Sequence, residues 1–251
     1  MLVRVSADTS YKSVPTELTG LVGENSLWYE AKYPHGAKVF GEAEPADYVY
    51  QLRVGAVRTY KLLLDGRRQI RAFHMPGDLF GLESGDVHRF TAATIIDTTV
   101  WRARRESVFG GLTEVGAAAA ILKLVNRSLE RVENHLLLLG RQTALEKTAA
   151  FLLEMDRRLD QPALMILPMS RRDIADYLGL TLETVSRALS KLRRQGAVGF
   201  VGQTQKKIVL HDRPKLAQIA LSCHASARPR RQATVARGAR VPFDPSGGLG
   251  L

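Results

Sequence analysis

Ser170-Arg-Arg-Asp-Ile-Ala-Asp-Tyr-Leu-Gly-Leu-Thr-Leu-Glu-Thr-Val-Ser-Arg-Ala-Leu-Ser-Lys-Leu-Arg-Arg-Gln-Gly196 reads as two short amphipathic helices joined by a tight turn. Ser170 caps the first helix, and Asp173 three residues on makes a shorter relative of the Ser-x-x-Glu capping box. Ile174, Ala175 and Leu178 fall on one face, as a core-facing stripe should. Gly179 stops this helix because glycine tolerates the left-handed conformation that a helix end needs. Thr181 caps the second helix, Val185, Leu189 and Leu192 form its buried stripe, and Gly196 ends it. This is the pattern of a helix-turn-helix, and it points to DNA.

Side-chain chemistry assigns roles along it. Glu183, Ser186 and Arg187 lie near the start of the second helix, the part that meets base edges in the major groove. An arginine pairs with guanine O6 and N7, a glutamate accepts from cytosine N4, and a serine contacts a base or a phosphate. Ser170, Arg171, Thr181, Thr184 and Lys191 are the candidate phosphate contacts in this unit. A Val198–Val201 and Lys207–Leu210 hairpin follows as a wing, and it adds Lys206 and Lys207 to that set.

Composition agrees. The 251 residues carry a formal net charge of +11, unevenly placed. Residues 1–139 hold 17 Lys/Arg against 16 Asp/Glu, residues 140–223 hold 14 against 8, and residues 224–251 hold 5 against 1. The excess sits beside the reading helix and in the tail, where it attracts phosphate without regard to sequence. Cys223 is the single cysteine, which excludes an internal disulfide and a multi-cysteine metal site. No apolar run approaches the roughly 20 residues of a membrane span, and no signal peptide is read at the N-terminus. A cytoplasmic protein is expected. No nucleophile–base pair, metal cluster or phosphate-cradling loop is spelled out, so no catalytic residue, metal or cofactor is expected, and no enzyme.

The chain divides into five parts. Residues 1–27 are an aperiodic lead-in. Residues 28–110 have the texture of short strands between glycine turns, with Tyr48, Tyr50, Leu52 and Val54 alternating, Asp65-Gly66 as a two-residue hairpin signal, Pro76-Gly-Asp78 as a turn, and Thr91 to Trp101 as a last run. A small antiparallel sandwich or jelly roll is expected there. Residues 111–140 form a long helix, in which Val115, Ala118, Leu122, Val125, Leu129, Val132, Leu136 and Leu139 recur at alternating spacings of three and four. Such a seam predicts a homodimeric coiled coil, although a helix packed on its own domain also carries an apolar stripe. Residues 141–222 hold a further helix near 143–159, a short strand at 165–168 and the winged helix-turn-helix. Residues 223–251 are a basic tail expected to be disordered. The fold class is α+β.

A sandwich, a long dimerising helix and a winged helix-turn-helix in that order resemble the CRP/FNR superfamily of transcription regulators, in its FixK-like branch. Asp65-Gly-Arg-Arg-Gln-Ile70, Phe73 to Glu83, His88-Arg-Phe-Thr91, Arg141-Gln-Thr143, Ala150-Phe-Leu-Leu153 and Asp173 to Arg187 carry the resemblance, over roughly residues 30–210. It implies a cyclic-nucleotide-binding-like jelly roll, a homodimer along the long helix, contact with RNA polymerase and a response to oxygen limitation. It also implies that Glu183, Ser186 and Arg187 read half-sites like TTGAT and ATCAA, four base pairs apart.

The departures concern control. The iron–sulfur cluster of FNR proteins needs a set of N-terminal cysteines that this chain lacks. Members that bind cyclic AMP use a Gly-Glu pair and an Arg-Ser pair; here Gly81-Leu-Glu83 is followed by Arg89-Phe90, with no hydroxyl after the arginine. Glu83, Asp86 and Arg89 are expected as a solvated turn or an internal ion pair. His74 and His135 are the candidate axial ligands for a haem, although no two of the six histidines have helical ligand spacing. The alternative to a ligand-free regulator is one whose jelly roll binds a nucleotide or haem.

Overall fold

The computed structural model describes residues 28–110, 115–141, 143–159, 164–202 and 206–221. The expected lead-in at 1–27 and tail at 223–251 lie outside these residues.

Eight strands come first: β1 (Trp28–Tyr33), β2 (Lys38–Phe40), β3 (Tyr48–Val54), β4 (Val57–Leu62), β5 (Arg68–His74), β6 (Leu79–Phe80), β7 (Thr91–Thr94) and β8 (Thr98–Arg104). They form two antiparallel four-stranded sheets, ordered β1-β8-β3-β6 and β2-β7-β4-β5. Apart from the β4–β5 hairpin, consecutive strands alternate between the sheets, which is the jelly-roll arrangement. Period-two alternation drives it: one face of β1, β2, β3, β4, β6 and β8 buries Tyr33, Phe40, Tyr50, Leu52, Val57, Phe80 and Val100 between the sheets. The apolar run expected at Thr91–Trp101 is two strands, β7 and β8, in opposite sheets.

The β4–β5 hairpin closes differently from its Asp65-Gly66 signal. Leu63 N–H donates to Arg67 O at 2.8 Å, so the loop is the three residues Leu64-Asp65-Gly66 rather than two. Gly66 has φ 79°, the left-handed value that follows a type I turn in this class of hairpin.

The helices are α1 (Arg105–Gly110), α2 (Val115–Leu139), α3 (Ala144–Leu159), α4 (Arg171–Leu178), α5 (Leu182–Arg194) and α6 (Arg213–Leu221). Thr143 and Glu146 form a reciprocal capping box for α3, each side chain accepting the other's backbone N–H. Strand β9 (Met165–Ile166) pairs with β11 (Lys207–Leu210), which pairs with β10 (Val198–Val201), so the wing is a three-stranded sheet. The second core joins the two halves of the molecule. Ile70 and Phe73 of β5 pack with Phe151 of α3, Tyr177 of α4 and the buried stripes of α4 and α5. Phe73 lies 5.0 Å from Tyr177 and 6.3 Å from Phe151, ring centre to ring centre.

Along α2, Leu122, Leu129 and Leu136 are 60%, 54% and 63% exposed, and Val125 is exposed too. Val132 and Leu139 are half-buried. The neighbouring His135 and Leu138 turn inward. The side chains of Val115 and Ala118 lie outside the described set. Among the described residues, no helix is long and apolar enough to cross a membrane.

Candidate DNA-reading interface

The helix-turn-helix is built as its sequence demands. Ser170 Oγ accepts the Asp173 N–H at 3.1 Å, and Asp173 Oδ2 accepts both the Ser170 N–H at 3.0 Å and the Ser170 hydroxyl at 2.7 Å. The capping box is therefore complete. Gly179, at φ 63°, closes α4 and turns the chain toward α5. Thr181 then caps α5, its Oγ1 accepting the Thr184 N–H at 3.2 Å.

Val185, Ala188, Leu189 and Leu192 bury one side of α5. Glu183 and Arg187 are exposed on its other side with Ser186 half-buried between them. Arg171 reaches across from α4 and donates to Ser186 Oγ at 3.3 Å, while its guanidinium lies 5.8 Å from the Phe200 ring of the wing. Burial lowers the pKa of Arg171. First helix, reading helix and wing thus meet at one arginine. Lys191, Lys206 and Lys207 are exposed.

Ser170 is the exception in the expected phosphate set. Its hydroxyl both donates to and accepts from Asp173, so we assign it to the cap. Asp173 shows why that cap is strong. Burial opposes its ionisation, but the two Ser170 hydrogen bonds and the charges of Arg58 and Arg68 outweigh burial and hold its carboxyl below the ordinary value.

The motif search missed the residues that fix this unit to the jelly roll. Arg58 Nη1 and Arg68 Nη2 donate to Asp173 Oδ1 at 3.0 and 2.7 Å, and Arg68 Nε donates to Asp176 Oδ2 at 2.8 Å. Gln69 Nε2 donates to the Asp176 carbonyl at 2.8 Å. Asp78, expected only as a turn residue, accepts from Arg131 of α2 and, at 2.7 Å, from Arg158 of α3. His135 of α2 stacks on Tyr177 of α4 at 3.9 Å and donates through Nε2 to its carbonyl at 2.8 Å. Burial lowers the pKa of His135, against the favourable pull of that carbonyl.

Comparison with known proteins settles the family. A Crp-like helix-turn-helix domain model matches residues 146–219, and a cyclic nucleotide-binding domain model matches residues 30–112. The nitrogen fixation regulation protein FixK of Rhizobium meliloti is 39% identical over 195 residues, 78% of this chain and 90% of that protein. The chain belongs to the CRP/FNR family. It is a FixK-type transcription regulator with a DNA-binding helix-turn-helix, and not an enzyme. The fumarate and nitrate reduction regulatory protein of Escherichia coli is 30% identical over 195 residues, 74% of this chain and 76% of that protein. The structure of FixK2 from Bradyrhizobium japonicum superposes with a TM-score of 0.72 at 54% identity, covering 77% of this chain and 97% of that one.

The family's jelly roll implies a cyclic nucleotide, and the residues here do not fit one. Arg89, at the place of the arginine in the family's Arg-Ser pair, donates to the buried Glu83 at 3.2 Å, the internal ion pair that was one of the two expectations. Phe90 carries the Arg71 guanidinium 4.7 Å from its ring centre. His88 is buried and stacked on Phe40 at 3.6 Å, and Phe40 continues into Tyr50, Phe80 and His74 as an unbroken aromatic series between the sheets. The candidate haem ligands are both engaged: His74 Nε2 lies 3.2 Å from Thr59 Oγ1, and His135 Nε2 is on the Tyr177 carbonyl.

Proposed function

We propose that this regulator acts as a homodimer that binds a TTGAT/ATCAA-like palindrome without a small-molecule effector and activates transcription through RNA polymerase. The observation that carries the proposal is the ordered edge of α5, on which Glu183, Ser186 and Arg187 stand free of the jelly roll. In this reading Arg187 pairs with guanine, Glu183 accepts from cytosine N4, and Ser186 completes the step. Arg171, Thr181, Thr184, Lys191, Lys206 and Lys207 contact phosphates on either side.

The exposed leucines of α2 support the dimer, because a run of apolar side chains left in water along one helix face calls for a partner face. Val115, Ala118, Val132 and Leu139 complete the seam. Two-fold symmetry then demands a palindromic target. The relatives named for nitrogen fixation and for fumarate and nitrate reduction support a role under oxygen limitation. Against a nucleotide- or haem-gated jelly roll stand the Glu83–Arg89 pair and the engaged His74 and His135.

Purified full-length protein, with no ligand added, is expected to shift a duplex bearing TTGAT and ATCAA four base pairs apart. Its preference over a scrambled duplex should reach at least about 1,000-fold at physiological salt. A shift that appears only on adding cyclic AMP or haem would overturn the ligand-free proposal.

A further inference from the structure

The carboxylate of Asp173 faces two ways. Oδ2 belongs to the helix-turn-helix, where it closes the cap on Ser170. Oδ1 belongs to the interface with the jelly roll, where it receives Arg58 from β4 and Arg68 from β5. Arg68 is held in turn by Asp176 one helical turn further along α4, and its guanidinium lies 5.5 Å from the Tyr60 ring centre. Both arginines are only about a fifth exposed, and Asp173 is 5% exposed. Partly desolvated, two-point arginine–carboxylate contacts of this kind fix orientation as well as distance.

The hold is local. Beside it, the tip of the β4–β5 hairpin and the α4–α5 turn stand apart across a cleft of about 690 Å³ that Arg68, Gln69 and Asp176 border on one side and Gly66, Thr181 and Thr184 on the other. On α4 the polar grip is thus Arg58, Arg68 and Gln69, beside the apolar contact of Phe73 with Tyr177; Arg158 of α3 is held separately by Asp78 and the Phe73 carbonyl. Nothing in it touches the reading edge, which remains turned to solvent.

We infer that Arg58 and Arg68 are positioning residues for DNA reading: by gripping the first helix of the helix-turn-helix at its own cap, they fix the attitude of each reading head on the jelly roll and so set the half-site spacing the dimer accepts. The inference rests on the palindrome reading above. It makes the jelly roll a rigid bracket, with side chains of the chain supplying the orientation that a bound effector would otherwise have to stabilise. A head held in place presents its second half-site at high effective concentration; a loose head does not.

The test measures full-length protein on duplexes whose half-sites are three to seven base pairs apart. For Arg58→Ala/Arg68→Ala, affinity at the preferred spacing should fall roughly 10- to 100-fold, and the preference among spacings should flatten to within about threefold. Base preference within a half-site and affinity for non-specific DNA should stay at parental values. A double-mutant cycle of Arg68→Ala with Asp176→Ala should show the double variant little worse than either single one. Asp176 is the partner of choice because changing Asp173 also breaks the cap. Parental affinity and spacing preference in the double-arginine variant would overturn the inference, as would equal weakening on every duplex including non-specific DNA. If that variant fails to fold, Arg68→Lys is put through the same comparison, with the same outcome deciding.

A DNA-free measurement separates this inference from the palindrome reading. Spin labels on Lys32→Cys and Arg194→Cys, in a Cys223→Ser background and mixed with an excess of unlabelled Cys223→Ser protein so that each labelled subunit pairs with an unlabelled one, should give a narrow distance distribution that broadens on Arg68→Ala. An unchanged distribution sinks the bracket even if the palindrome is bound. A parent that ignores the palindrome but shows the broadening sinks only the palindrome.

Discussion

The jelly roll and the reading helix dispose of their polar groups in opposite ways. In the jelly roll, Glu83 is paired with Arg89 and His74 is bonded to Thr59, while His88 lies flat on Phe40 with its Nδ1 buried 3.6 Å from Glu83 and without a hydrogen bond. On α5, Glu183 and Arg187 are left in water on a helix whose cap and apolar stripe hold it rigid. A group already satisfied within the chain has little to give a ligand, because binding must first break the internal contact. A fixed group still in water is available at low entropic cost. On the ligand-free reading proposed above, the jelly roll serves as structure and the recognition chemistry is concentrated in the other half.

The contrast breaks first if the jelly roll is loosely filled. Phe40 is 5% exposed and sits in the middle of the aromatic series. Phe40→Ala should cost about 3–5 kcal/mol in urea unfolding while leaving base preference unchanged. A loss under about 1 kcal/mol would mean that the space between the sheets relaxes easily and can admit a guest. Arg187→Ala reverses the pattern. It should weaken specific binding by roughly 1–3 kcal/mol per half-site and relax choice at the guanine, while unfolding shifts by no more than about 0.5 kcal/mol. Equal weakening on all sequences would make Arg187 a phosphate contact.

His74 sharpens the comparison through pH. The residue is half-buried, and burial, the largest influence, together with nearby arginines pushes its pKa down to about 3 against the pull of Asp78. The unfolded chain takes up this proton near pH 6.5. Stability is therefore lost as pH falls from about 6.5 toward 3, amounting to about 2 kcal/mol between pH 7 and 5. Urea unfolding at the two pH values should show this slope in the parent and a flatter one in His74→Gln. Equal slopes would place His74 in an environment as open as that of the exposed residues of α5.

The two halves also differed in how far the sequence disclosed them. Helix caps, the Gly179 stop and the polar edge of α5 are written within a few residues of one another, so Ser170 to Gly196 was legible at short range. Helix α2 was legible for the same reason, and Leu122, Val125, Leu129 and Leu136 of its expected seam are exposed. The jelly roll was readable as strands, but Thr91–Trp101 concealed a change of sheet, since alternation reports which residues face inward and not which sheet receives them. The Asp65-Gly66 signal located a hairpin but gave its loop one residue too few. Helices α1 and α6 were not read. The contacts of Arg58 and Arg68 with Asp173 and Asp176 had no local signature, because the partners lie more than 100 residues apart in the chain. Asp173 was recognised as a cap and its second role was invisible.

Ser170 and Lys207 finally divide the basic unit itself into groups that hold it together and groups that face outward. Ser170 Oγ gives and takes one hydrogen bond each with Asp173, so Ser170→Ala should cost about 1 kcal/mol in stability. It should leave the dependence of DNA affinity on salt unchanged, since no phosphate contact is lost. Lys207 is exposed on the wing. Lys207→Ala should leave stability within about 0.5 kcal/mol of the parent and lower the slope of log affinity against log salt by about one per subunit. Titrating both variants over a salt series, beside their urea curves, separates the two roles. A reduced salt slope for Ser170→Ala would return its hydroxyl to the phosphate-binding set, and it would mean that the Asp173 cap opens when DNA is bound.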